Sequence, residues 1–289
     1  MSKHHAHHEH EHHHEHHEHA HGHHHEHEHG HDHHHDPDHA HGASMILTVR
    51  AVSGLSGDMI LTGLARMNAL GQAELDAETE KLGLDALQGC LRVEERSVNH
   101  VNGWGCVIDL PHEHAHRTFA DIRAIIEASA LEARAKELAL SAFSHIAGAE
   151  AAVHGKTPDN VTFHEVGALD SILDICLAAS LFARLSPARF VCSPLPLADG
   201  GVHCAHGWLP TPAPAVLQML DGVPVCGFAG QGETVTPTAI ALLKAFGAEF
   251  GPWPGMTVQR RALVYGDKVF ANAPNGIIWA YGPEVAHGR

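Results

Sequence analysis

Aromatic residues are scarce in this chain of 289 residues, which has two Tyr and four Trp. Burial must therefore come chiefly from the Ala, Leu, Val and Ile that enrich the sequence after its first 44 residues. Cations are few as well: 18 Lys and Arg stand against 34 Asp and Glu, for a net charge of −16. The excess of acid is shared between residues 1–42, with nine acids and one Lys, and the rest of the chain, with 25 acids and 17 bases. No basic stripe exists for a phosphate backbone to grip, and imidazoles are largely neutral at pH 7, so nucleic acid is excluded as an expected partner. Long apolar runs are missing too. The longest, about residues 172–185, is interrupted by Asp174 and Arg184 and is too short to span a bilayer. The N-terminus has no apolar core of the kind a signal peptide needs. Six cysteines occur singly, with no CxxC pair, and read as small buried thiols of a reducing compartment. These absences point to a cytoplasmic protein that does not enter the membrane.

What the chain does have is histidine. Residues 4–41 hold 23 of them among Glu, Asp, Ala and Gly. With no periodic apolar face, such a segment cannot offset its ordering entropy, and it reads as disordered until metal binds. Imidazole suits nickel, zinc and copper, and the interspersed carboxylates ease the packing of divalent ions; at two to six ligands per ion the tract has capacity for roughly 4 to 10. Imidazole alone does not choose nickel over copper or zinc. An affinity tag or a neutral low-complexity tail is the plainer reading, although the irregular run rich in Glu is unlike a uniform tag. Met45 follows directly as an alternative start, and the fold should not need the tail.

Periodicity in the remaining 245 residues gives a mixed α/β fold: a single compact aliphatic-rich domain, residues 45–289, behind a disordered tail, residues 1–44. A strand at 46–51 runs through SGLSGDM into a helix; 72–82, 118–128, 131–153, 171–185 and 213–220 read as helices; 91–98, 105–110, 189–192, 259–264 and 276–280 read as strands. Thr236 and Pro237 fit the N-cap and first turn of a further helix. After the strand at 189–192 comes SPLPLADGGVHCAHGWLPTPAP, too long and too rich in Pro and Gly for an ordinary turn.

Several clusters could carry chemistry. Ser53, Gly54, Ser56, Gly57 and Asp58 form a Gly-rich turn before a helix, where free amides and the helix dipole favour a phosphate, or where Asp58 serves only as a cap. His112, His114 and His116 alternate, so an extended backbone puts the three imidazoles on one side, as metal ligands or as exposed loop residues. His164 and Glu165 precede Asp170 and Asp174, which share a helix face at i,i+4; the group suits a hard cation or a general base, unless Asp170 merely caps the helix and Asp174 meets solvent. His203 and His206 flank Cys204, a mixed set suited to nickel or zinc, unless Cys204 is buried. Glu233, Thr234, Thr236 and Thr238 mark a second helix start open to an anion or to capping alone.

Taken in order, SGLSGDM, HEHAHRTFADI, AEAAVHGKTPDNVTFHEVGALDSILDI, SPLPLADGGVHCAHGWLPTPAPAVLQML and GETVTPTAIALL resemble the LarC nickel insertion proteins over most of residues 45–250. The resemblance implies a cytoplasmic nickel chelatase or cyclometallase of the lyase class. It would insert Ni(II) into pyridinium-3,5-bisthiocarboxylic acid mononucleotide, using CTP with Mn or Mg, to form the nickel-pincer cofactor. On that reading His164, Glu165 and Asp170 are catalytic candidates, His112, His114, His116, His203 and His206 are nickel ligands, and Ser53, Gly54, Ser56, Gly57, Asp58 and Thr236 hold the nucleotide. Family members commonly continue into a C-terminal domain associated with CTP binding, so a separately encoded C-terminal domain is an expected partner, and a homo-oligomer is expected. The alternatives are a nonenzymatic nickel storage protein or metallochaperone, or a distinct metal-dependent enzyme on the same fold.

Overall fold

The computed structural model describes residues 44–110, 117–163, 167–204 and 207–285, with the backbone alone at Asn160, His203 and Cys204. In chain order the first half contains β1 (Met45–Arg50), α1 (Gly57–Met67), α2 (Gln72–Glu80), β2 (Leu91–Val98), β3 (Val101–Ile108), β4 (Arg117–Thr118), α3 (Phe119–Ala128), α4 (Ala133–His154) and β5 (Thr162–Phe163). The second half contains α5 (Leu169–Leu185), β6 (Arg189–Cys192), β7 (Leu195–Ala198), β8 (Gly201–Cys204), β9 (Gly207–Pro210), α6 (Pro214–Met219), β10 (Val225–Phe228), α7 (Pro237–Ala245), β11 (Glu249–Phe250), β12 (Arg260–Val264) and β13 (Ile277–Pro283). The expected mixed α/β class is observed, and the described residues belong to one compact unit.

The main sheet has seven strands in the order β11-β6-β1-β13-β12-β3-β2. Strand β1 lies inside it, parallel to β6, with Ile46 opposite Arg189, and antiparallel to β13, with Met45 opposite Pro283. Residues 46–50 are all buried, which explains why this strand reads as a continuous run rather than an alternation. Its Thr48 hydroxyl is satisfied by donating to the Val191 carbonyl at 2.9 Å. The β2–β3 hairpin turns at Asn99 and His100, both with positive φ, the backbone that a two-residue turn between right-twisted strands demands.

Helix α1 lies against β3, β12 and β13 and packs on α5, which in turn meets α4. The approach is close because Gly63 has no side chain: a Cβ there would stand 2.2 Å from the Trp279 ring. Trp279 is fully buried and stacks on Phe190, and Phe182 stacks on Phe246 at 4.1 Å between centroids. Trp279, Phe190, Phe182 and Phe246 thus cluster where helices meet the sheet. Each large side chain buried there contributes about 1.5–3 kcal/mol relative to exposure.

Two expectations change. The Pro/Gly-rich stretch holds strands, β8 pairing with β9 and β7 pairing in parallel with β10; short strands between turn residues give too few alternating positions to be read from pattern. The cysteines are not uniformly buried, since Cys226 is exposed on β10 and Cys106 is partly so. Among the described residues no helix is long and apolar enough to cross a membrane.

Candidate functional site

Strand β1 ends at Arg50, and the chain then runs through residues 51–56 beside a second loop, residues 233–236. Leu55 and Val235 form a parallel bridge: the Leu55 amide donates to the Thr234 carbonyl at 2.8 Å, and the Thr236 amide donates to the Leu55 carbonyl at 3.1 Å. Two helices therefore start side by side, α1 after Ser56 and α7 after Thr236. Gly54, at φ +125°, makes the bridge possible, because a Cβ there would stand 2.2 Å from the Thr234 carbonyl oxygen. Gly57 serves the next layer: its missing Cβ would meet Asp174 Oδ2 at 2.6 Å and Thr238 Cγ2 at 2.8 Å. Both glycines let protein groups approach one another.

Above the paired loops is a cleft of about 450 Å³. Ser53, Gly54, Ser56, Asp58 and Thr236, expected to hold the nucleotide, all line it; Gly57 is buried just beneath. The cleft is also lined by Gly201 and Val202 of β8, by Gly232 to Thr234, and by the β12–β13 loop with Asp267, Lys268 and Phe270. Lys268 bonds the Gln231 and Glu233 carbonyls and lies 5.0 Å from the Phe270 ring centroid, so it pins the 231–233 loop while bringing positive charge to the cleft. Ser53 is held in place by donating to the Gly276 carbonyl at 2.8 Å.

The two helix starts differ. Ser56 does not cap α1; its hydroxyl donates to Asp58 Oδ1. Desolvation raises the Asp58 pKa, the bonds from Ser56 and from the Met59 and Asp58 amides pull it back, and the Asp267 charge adds to the rise; the balance is upward. The positive end of α1 is therefore already engaged by an acid of its own. At α7, Thr236 accepts from the Ala239 amide at 3.3 Å, and Pro237 has no amide hydrogen to offer.

Asp174 departs furthest from expectation. One reading of the sequence placed it in solvent, yet Oδ1 is sealed from water without a hydrogen-bond partner. Desolvation, then the charges of Asp58 and Asp170, hold its pKa well above the ordinary carboxylate value. Cys106, on β3, completes this cluster, its thiol pushed up by burial and by Asp58 and Asp174. Asp170, four residues from Asp174, is exposed and accepts from the Ser171 amide at 2.7 Å.

His112, His114, His116, His164, Glu165 and His206 lie outside the described residues, as does the tail, and His203 is described only as backbone within β8. The flanks of two of these segments are adjacent, because β4 pairs with β5 and sets Arg117 opposite Phe163. Among the described residues no three His, Cys, Asp or Glu side chains come together to hold a metal ion. A larger cleft of about 690 Å³ at the β11 edge is lined by Arg189, Glu249, Trp253 and Glu284 and by none of the expected residues. Sequence reasoning missed Asp267, Lys268 and Phe270. Their GDKVF segment carries a turn signal but nothing that announces a contact with residues near 232 or 55.

A family profile described as "Nickel insertion protein" matches residues 47–284, which spans every wall of the cleft. The chain belongs to the nickel insertion protein family. A relative from Syntrophotalea carbinolica, whose curated name also assigns it to nickel insertion, is 40% identical over 230 residues, covering 80% of this chain and 57% of the relative. Another from Myxococcus xanthus with the same kind of name is 42% identical over 235 residues, 80% of this chain and 58% of the relative. The pyridinium-3,5-bisthiocarboxylic acid mononucleotide nickel insertion protein of Staphylococcus epidermidis is 36% identical over 223 residues, 77% of this chain and 55% of its own length. This family member thus spans somewhat over half the length of the relatives it matches. No solved structure matches it.

Proposed function

We propose that this chain acts in nickel insertion into pyridinium-3,5-bisthiocarboxylic acid mononucleotide, as a lyase-class cyclometallase that consumes CTP and works in the cytoplasm. The observation that carries this reading is the family match over residues 47–284 together with relatives whose printed name specifies that nucleotide. A separately encoded C-terminal domain is the protein partner in this reading. A homo-oligomer is part of the same reading.

The cleft sets the Lys268 ammonium and the start of α7 among the carboxylates of Asp58, Glu233 and Asp267. A phosphate is drawn toward the Lys268 ammonium and the start of α7, where Thr236 stands, and away from the Asp58 carboxylate. The ring then faces Asp58. Nickel is the cargo: the tail collects it, and His112, His114, His116, His203 and His206 pass it on, neutral imidazole being a suitable ligand. His164, Glu165 and Asp170 serve as acid–base or positioning groups beside that route. Mn or Mg would accompany CTP in this reading, its remaining ligands being phosphate oxygens and water.

The test is direct. Nickel, the apo nucleotide, CTP and Mg are incubated with the chain, with and without the C-terminal part of a relative, and a nickel–carbon product is sought by mass and absorbance. Product formation, lost in His164→Ala while tail binding persists, supports the reading. Nickel binding with no product under either condition moves the assignment to storage or delivery.

A further inference from the structure

Among the described residues, Asp58 lines the cleft and has the carboxyl of Asp174 near enough for the two charges to act on each other. Asp174 reaches that place only because residue 57 is glycine, its Oδ2 lying 2.6 Å from the position a Cβ would occupy. Its Oδ1 is sealed and unpartnered. An ionised carboxylate left without a partner away from water is too costly to persist, and two neighbouring carboxylates do not both ionise readily. The pair therefore divides its roles by environment. Desolvation holds the Asp174 pKa well above the ordinary carboxylate value and so favours its protonated form, whereas Asp58, which lines the cleft, receives hydrogen bonds from Ser56 and two amides that favour its ionised form. The other groups facing the pair are Asp267 and Lys268 from the β12–β13 loop, Asp170 from α5 and Cys106 from β3.

We propose that Asp58, backed by the sealed carboxyl of Asp174, takes the ring proton that nickel displaces, an inference that rests on the nickel-insertion reading above. In this step the ring C–H bond breaks and its electron pair becomes the carbon–nickel bond. The proton passes to a carboxylate oxygen of Asp58 and later to solvent. Nickel stays divalent, so no oxidant or reductant is required. An acceptor works best with a pKa near the working pH, and the desolvated wall gives Asp58 a basicity that a solvated surface carboxylate lacks.

The experiment measures product formation and its pH profile for the full chain and its variants, with the C-terminal part of a relative supplied. Binding of nicotinate mononucleotide, a pyridinium mononucleotide probe, is followed in parallel. Asp58→Asn should lower kcat about 10²–10⁴-fold while the probe binds at least as tightly, because a negative charge has left the cleft. Asp267→Asn, at a side chain that is 95% exposed, should leave the fold intact and move the acid limb of the profile to lower pH. Asp174→Asn, which mimics a neutral acid, should keep product formation within about tenfold of the parent. Unchanged product formation in Asp58→Asn, or a loss in a folded Asp174→Asn with Asp58→Asn still active, overturns the proposal. A parent chain that makes no product at all instead sinks the functional reading, and this inference with it.

Discussion

Gly54 and Gly57 sit three residues apart in one Gly-rich turn, yet they meet obstacles of different kinds. At Gly54 a Cβ would collide with the Thr234 backbone, and φ is +125°; at Gly57 it would meet two side chains, those of Asp174 and Thr238. Side chains shift more readily than a bridged backbone. Gly57→Ala should therefore cost about 1–3 kcal/mol, as overpacking does, and Gly54→Ala more, because strain at positive φ is added. Urea midpoints of the two variants check the order. The sequence alone shows glycines before a helix, which is equally the signature of a loop that approaches a phosphate. Only the contacts show which groups approach here.

Asp174 carries a second prediction at this scale. Its folded pKa is raised, so the folded protein holds a proton that the unfolded chain releases near the ordinary Asp value. The stability this contributes is complete below about pH 4 and is lost as pH rises toward the raised folded value. Asp174 should thus make unfolding free energy fall with pH above about 4, and Asp174→Asn should remove that component, leaving among others the share from Asp58, of the same sign, and that from His145, whose pKa burial lowers and whose share has the opposite sign. Urea denaturation of both proteins between about pH 4 and 8 measures it; parallel slopes would show that Asp174 ionises normally.

Among the elements, α1 and α7 start together but are capped in opposite ways. Thr236 accepts from the Ala239 amide, as its position before Pro237 suggests, whereas Ser56 gives its hydroxyl to Asp58 and leaves α1 without a side-chain cap. Thr236→Ala should cost about 1 kcal/mol, measured by denaturation, and should also weaken mononucleotide binding at that wall. Ser56→Ala should cost less stability and raise the Asp58 pKa, since the hydroxyl bond holds it down. Caps were legible because their signal lies within four residues. The Leu55–Val235 bridge was not, because its partners are distant in sequence and neither carries a distinctive side chain.

For the whole molecule, β1 begins at Met45 and the Ser44 carbonyl accepts from the Glu284 amide at 2.8 Å. A version starting at Ser44 keeps these contacts and should unfold at the same temperature as the full chain. It should lose the roughly 4 to 10 ions assigned to the histidine tract and retain a tight site of about one ion if the transfer histidines form it. Equilibrium dialysis with nickel, zinc competing, together with thermal unfolding, reads both. Loss of all nickel would assign the metal to the tail and favour storage or delivery.

Patterns carried within a few residues were settled by sequence alone: the mixed α/β class, most helices and strands, the Thr236 cap, the histidine-rich composition of residues 4–41 and the motifs that resemble nickel insertion proteins. Periodicity and capping express forces between near neighbours, and the chain records them directly. The tertiary structure alone decided that the turn at residues 53–58 and the loop at 233–236 share one cleft, that GDKVF helps to line it, and that Asp174 Oδ1 is sealed from water. Those outcomes depend on desolvation and on contacts between segments as much as 223 residues apart, where the same aspartate is a surface group or a half-buried acid according to what packs against it.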